Sequence, residues 1–254
     1  MSRLRKPHDS IKAVGGLSNP SKMPCLSWSI PAETCKLGSL LHRNPNSVCS
    51  TCYALKGCYT FKSTVEAMQR RFNVLMRHER DGTWGEWARH WQRIFDFRLQ
   101  QTNNALSKGK DTPMDDGRFW RWHDSGDIQS AEHFKSLCRI AHMCPDVFFW
   151  LPTKEAGMVM DALDQGFTIP TNMNVRVSIP LKDKGASGSL LLLLARSAQI
   201  SFAGCHTDGH HDGDAFSLDG DDAFECDAYL KDGACKSCRD CWHPRNHLIS
   251  YPEH

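Results

Sequence analysis

Twelve cysteines stand in this 254-residue chain, and most of them fall into two dense groups whose spacing is its first chemical signal. The later group holds Cys205 and the run Cys226, Cys235, Cys238, Cys241, with three of its thiols inside the stretch "CKSCRDCW". A structural zinc site usually draws its thiolates from two separated pairs. Thiolates at successive two-residue gaps suit an iron–sulfur cubane better, because each sulfur reaches a different iron corner while the backbone circles the cluster. The spacing therefore favours a 4Fe-4S cluster, with zinc as the alternative, and Trp242 stands ready to shield it. The earlier group holds Cys25, Cys35, Cys49, Cys52 and Cys58. Cys49 and Cys52 form a two-residue-gap knuckle, with Cys35 upstream and Cys58 downstream as further candidate ligands. Here spacing alone does not choose between zinc and iron. Cys138 and Cys144 occupy apolar positions of a helical pattern and read as small buried hydrophobes.

These thiols must be positioned by a core, and 254 residues with 40% apolar content suffice for one. Lys and Arg number 31 against 29 Asp and Glu, so the net charge of +2 creates no field that argues for nucleic acid or a membrane surface. No stretch approaches the roughly 18 apolar residues of a membrane span. We expect a cytoplasmic protein among reduced thiols, where clustered cysteines bind metal or do redox chemistry rather than form disulfides.

Between the cysteine groups, short β-branched or aromatic runs alternate with helical stretches, the pattern of a parallel sheet wrapped by helices. Strands are predicted at 25–30, 118–123, 147–151, 174–179 and 199–202, and helices over 62–82, 84–101, 130–144, 153–166 and 187–198. The fold expected is α/β: a partial (β/α) barrel of about five to six parallel strands with a C-terminal cysteine-rich, cluster-binding extension. Its divisions are a basic N-terminal segment (1–24), the barrel with the first cysteines (25–204) and the extension (205–254).

Such barrels place their chemistry on the loops after the strands. The first cysteines follow the first strand, and "WHDSGD" sets His123, Asp124, Ser125, Gly126 and Asp127 after the second. Gly126 would permit a tight turn and Asp127 would cap a helix, so an ordinary strand-to-helix turn is an equal reading. After the third strand Thr153 and Lys154 reach the same rim, where Lys154 would neutralise an anionic ligand or cluster or lie solvated. No G-x-S-x-G elbow supports a serine hydrolase. His206, Asp208, His210, His211, Asp212 and Asp214 are competent metal ligands, but their spacing matches no compact site, and a solvated loop is the simpler account. Arg70, Arg71, Arg77, Arg80, Arg89 and Arg93 would suit phosphates, yet Trp84, Trp87, Trp91, Ile94 and Phe95 recur at helical spacing. That favours an amphipathic helix burying its Trp face.

At "CSTCYALKGCYTF", "RWHDSGDIQSAEHF", "FFWLPTKE" and "CKSCRDCWHPRNHLISYPEH" the chain resembles a family of bacteriophage proteins catalogued as gene product 88. The match is collinear from about Ser27 to the C-terminus and implies phage origin, the cytoplasm of the host cell and no defined reaction. Carried over by position are Cys35, Cys49 and Cys52 and the set Cys226, Cys235, Cys238 and Cys241; Cys58 stands where the family pattern varies. The arrangement is also distantly similar to radical S-adenosylmethionine enzymes, with three cysteines after the first strand and a four-cysteine auxiliary set, although their CxxxCxxC motif is absent. That similarity implies one or two 4Fe-4S clusters, S-adenosylmethionine as a second cofactor, an electron donor, and a small-molecule or macromolecular substrate. It also implies that Asp124 or Asp127 holds a cationic ligand. Asp124, Asp127 and Lys154 are then the candidate catalytic residues, and His123, Ser125, Gly126 and Thr153 the candidate cofactor contacts. The alternative is a zinc-binding structural or nucleic-acid-binding protein.

Overall fold

The structure, a computed structural model, describes residues 6–110, 116–207, 217–218, 221–222, 224–245 and 247–253. Strands are β1 (Ser27–Trp28), β2 (Phe119–Trp122), β3 (Phe148–Thr153), β4 (Met173–Ser178), β5 (Ile200–His206), β6 (Ser217–Leu218), β7 (Asp221–Asp222), β8 (Phe224–Glu225) and β9 (Leu248–Pro252). Seven form one sheet in the order β1-β2-β3-β4-β5-β9-β8, every neighbouring pair parallel. β6 and β7 pair antiparallel apart from it. The helices are α1 (His8–Ala13), α2 (Lys36–Leu41), α3 (Lys62–Asp81), α4 (Trp84–Leu106), α5 (Ala131–Met143), α6 (Ala156–Asp164) and α7 (Gly188–Leu194).

All five predicted strands exist, and the sheet is parallel, but it is open rather than closed into a barrel. Its edge strands, β1 and β8, offer two residues each, too little ladder for the edges to join. The stretch expected to be an appended extension supplies two strands of the same sheet: β9 lies between β5 and β8, with Phe202 opposite Leu248.

The period-two alternation of the strands divides the chain into two cores. Trp120, Trp122, Phe149, Leu151, Val175, Val177, Ile200 and Phe202 face the helices, and α4 lays Trp84, Trp87, Trp91, Ile94 and Phe95 against them. Ser130 caps α5 by accepting the His133 N–H at 3.0 Å. The opposite, inner face is covered by the cysteine-rich segment, where Cys25, Trp150, Cys241, Trp242 and Ile249 form a second, smaller core. The arginine-rich stretch of α3 is partly internal: Arg70 donates to Gly15 O at 3.0 Å, and Arg71 donates to Gly16, Leu17 and Ser29 carbonyls. Among the described residues no helix is long and apolar enough to cross a membrane.

Gly126 locks the turn after β2 against the end of β1. Its φ is +81°, and a Cβ there would stand 2.3 Å from Ile30 Cγ1 and 2.8 Å from Ile30 O. Gly82 closes α3 at φ +63° with open space around it. Gly126→Ala should therefore cost about 3 kcal/mol or more, combining left-handed strain with overpacking, against about 1 kcal/mol for Gly82→Ala. Urea unfolding of both variants checks this; equal costs would mean that the contact with Ile30 yields without penalty.

Candidate functional site

Three of the first group, Cys35, Cys49 and Cys52, are gathered at the C-terminal ends of the strands. A pocket of about 290 Å³ is lined by Cys35, Cys49 and Cys52 on one side and by residues 123–127, Lys154 and Arg121 on the other. The long segment from Cys35 to Cys52 reaches it by arching over the strand ends. It is pinned at α2 by Glu155, which accepts the Leu37 N–H at 2.7 Å. Farther on it meets the loop after β4, where Val48 N–H donates to Pro180 O at 3.0 Å and Lys182 N–H to Asn46 O at 2.9 Å. Thr51 Oγ1 then donates to Glu253 at the end of β9, at 2.9 Å. The distance in sequence between Cys35 and Cys49 is thus the span of a bridge across the sheet.

Gly38 is what lets the thiols meet. A Cβ on Gly38 would stand 3.0 Å from Cys35 Cβ, 3.7 Å from Cys49 Sγ and 3.8 Å from Cys35 Sγ, filling the space beside both sulfurs. Burial raises the Cys35 thiol pKa, with the Asp127 charge adding and Lys154 opposing. Burial likewise raises Cys49, again eased by Lys154. Burial alone would lower Lys154, but Cys49, Asp127, Tyr53 and Cys35 outweigh it and hold the ammonium protonated. Lys154 Nζ makes no hydrogen bond or ion pair among the described residues. The pocket therefore joins soft sulfur donors to an uncommitted cation, and filling it with metal would displace the thiol protons.

The carboxylates after β2 are already engaged. Asp124 accepts from Ser27 Oγ at 2.6 Å and Tyr59 Oη at 3.1 Å, while its carbonyl accepts from Tyr53 Oη at 2.6 Å. Asp127 accepts from Thr153 Oγ1 at 2.6 Å and from the Ile128 and Lys154 N–H groups, each at 2.8 Å. It ties the end of β2 to the end of β3. Thr153 thereby orients Asp127 instead of lining the pocket. Ser125 Oγ donates to Ile30 O at 3.0 Å and, with Gly126, fixes that turn to β1. His123 sits at φ +57° with its ring against Trp28, Trp122 and His133. Both its nitrogens are buried without hydrogen-bond partners among the described residues, and burial, aided by Arg121, lowers its pKa to about 3.

The second group lies under the inner face. Burial raises all four of Cys226, Cys235, Cys238 and Cys241, and each of the four thiols is raised further by the charge of another in the set or, for Cys241, by Cys226. The segment is seated by Trp242, whose Nε1 donates to Trp120 O at 2.9 Å, and by Asn174 Nδ2, which donates to Cys241 O at 2.8 Å. Cys241 Sγ lies 3.1 Å from Tyr251 Oη. Four thiols with cationic Arg121 and Arg176 beside them suit a thiolate-held metal group, as do the three pocket thiols with Lys154. Among the described residues no three Cys, His, Asp or Glu side chains close around a single ion's position.

Cys58 is exposed and outside the pocket, Cys25 is buried beside Cys241, and Cys205 lies on β5 near Lys182 and Glu253. His206 pairs through Nδ1 with Ser250 Oγ at 2.6 Å; Asp208, His210, His211, Asp212 and Asp214 lie outside the described residues. Sequence reasoning passed over Arg121, Glu155, Asn174 and Arg176. A polar or charged residue alternating with large apolar ones in a parallel strand, as in "FWRW" and "NVRV", was the available signal.

Among known proteins, the family model described as Gene product 88 matches residues 2–244. No curated protein matches, and no solved structure does.

Burial lifts the Asp127 pKa from 3.8 to about 6, although Thr153, Lys154 and Ile128 oppose the rise. Folding thus favours the protonated carboxyl, and the native state holds a proton that the unfolded chain loses near pH 3.8. This group's contribution to stability falls as pH rises from about 4 to 6 and is level above that. Asp127→Asn should flatten that part of the pH profile of the urea midpoint; an unchanged slope would show that another group titrates there.

Proposed function

The chain belongs to the gene product 88 family, and we propose that it is an iron–sulfur protein with a reactive site in the pocket and a closed site on the inner face of the sheet. The observation that carries this reading is the difference between the two thiol sets. Cys226, Cys235, Cys238 and Cys241 offer four thiols under the inner face, with Cys241 in the small core and Cys226 packed against it. Cys35, Cys49 and Cys52 are three, and they face a pocket that also holds a free ammonium. A 4Fe-4S cluster held by those three thiolates would supply single-electron transfer.

The chain's own residues have separable parts in that reading. The pocket thiolates hold the group, and Lys154 offsets its negative charge and orients an anionic end of the substrate. Asp124 and Asp127, with their oxygens occupied by hydroxyl and backbone donors, act as positioning residues that fix the strand ends. S-adenosylmethionine is the second cofactor in this proposal, the electron donor is a separate reductant, and the work is done in the cytoplasm of a phage-infected cell. The radical-enzyme part rests on the three-plus-four thiol count and on the placement of three thiols after β1.

Anaerobically purified protein should be brown and contain iron and acid-labile sulfide. Cys35→Ser with Cys49→Ser should remove about half of the iron and leave the inner-face site filled, while Cys238→Ser with Cys241→Ser should also weaken the fold. Reduction with S-adenosylmethionine present should release 5′-deoxyadenosine. Colourless protein holding stoichiometric zinc would sink the cluster reading, and an electron paramagnetic resonance signal unmoved by S-adenosylmethionine would sink the radical one.

A further inference from the structure

Arg121 belongs to neither thiol group in sequence, yet it stands between them. On the pocket side its guanidinium is part of the lining, and Nη2 lies 3.2 Å from the hydroxyl of Tyr53, the residue after Cys52. On the inner side Nη1 lies 3.6 Å from Met23 Sδ, which in turn lies 4.0 Å from Cys235 Sγ. The guanidinium is stacked 4.6 Å above the ring of Trp150, within the core that also holds Cys241 and Trp242. Its Nε is buried and has no hydrogen-bond partner among the described residues.

The other cations divide between the sites. Lys154 acts on Cys35 and Cys49, and Arg176 acts on Cys241. Arg121 acts on Cys235 and Cys241 while it also walls the pocket. Thiolate-held metal groups carry net negative charge, and in a low-dielectric interior such charge persists only beside a compensating cation. A guanidinium stays charged where an ammonium would lose its proton, and its planar fork can serve two directions at once.

We propose that Arg121 is the shared counter-charge of the two cysteine sites, a positioning residue that couples retention of metal at one to the other. The proposal rests on reading both groups as metal sites, whichever metal they hold. The orphaned Nε–H is the donor free to meet a sulfur ligand on loading.

The test compares the full chain with Arg121→Met, Arg121→Gln and Arg121→Lys, each loaded anaerobically with iron and sulfide or with zinc alone. Metal lost to excess chelator is followed per chain, and the same variants in a Cys35→Ser, Cys49→Ser background report the inner site alone. Arg121→Met should speed loss from both sites by about tenfold, and Arg121→Lys should lie nearer the parent. Arg121→Gln serves as the neutral variant if the methionine does not fold. Acceleration at one site alone, none at all, or equal effects of Met and Lys would overturn the proposal. A parent that holds zinc and refuses iron overturns the cluster reading while leaving this comparison decisive; a parent that holds neither overturns both.

Discussion

The constraint on which the molecule depends is that polar groups on the inner face of a parallel sheet must be met by something other than water. Arg121, Asn174, Arg176 and Ser201 alternate with the Trp, Val and Ile that build the helical core, so β2, β4 and β5 each point polar side chains the other way, while β3 points Trp150. The cysteine-rich segment answers that need. Cys241 O takes Asn174 Nδ2, Asp240 O and His243 O lie within reach of Arg176, and Trp242 closes over Trp150 and Phe119. The segment that carries four thiols is thus half of the sheet's solvation.

The strand ends obey a similar rule with different means. Parallel strands leave carbonyl and N–H groups exposed where they stop, and here the side chains of neighbouring loops take them up. Asp127 collects two N–H groups and a hydroxyl, Ser125 clasps Ile30, and Glu155 holds the start of α2. Residues whose types suggest acid–base chemistry are used to hold three loops in register. What remains uncommitted at the rim is the thiols and Lys154, and this is why the chemistry assigned to the pocket is that of sulfur and a cation.

Much of this was legible in the sequence because it follows from periodicity. The strands emerged from β-branched and aromatic runs, and the Trp stripe of α4 read as a buried face, as the ring contacts among Trp87, Trp91, Trp120 and Trp122 bear out. The rim residues were legible as a set, because a parallel sheet sends every strand's C-terminus to one edge. Their division of labour was not, since Thr153 and Asp127 are joined only by a contact across 26 positions, and Glu155 meets Leu37 across 118. How far the parallel sheet curls was not legible for a comparable reason. Whether edges meet depends on the two-residue strands β1 and β8, too short to register as a pattern. The last strand was hidden by the cysteines before it, which drew "HLISYP" into an extension although Leu248 packs in the helical core and Ile249 in the inner one.

If both thiol groups hold metal, as proposed, they differ in how the charge of a loaded site would be met, and that difference follows from where each lies on the sheet. Cys241 of the inner-face group lies in the core of Trp150, Trp242 and Ile249 with Tyr251 packed against it, and the guanidiniums of Arg176 and Arg121 are the cations beside it. The pocket group lies at the edge, where Lys154 on its flexible stem can turn toward a bound molecule as readily as toward sulfur. A fixed cation beside a closed set of four donors favours permanence. In the proposed reading, a movable cation beside three donors would leave both a coordination site and a charge available to something that enters. The same sheet, through the alternation of its strands on one side and their shared direction at one end, produces both environments.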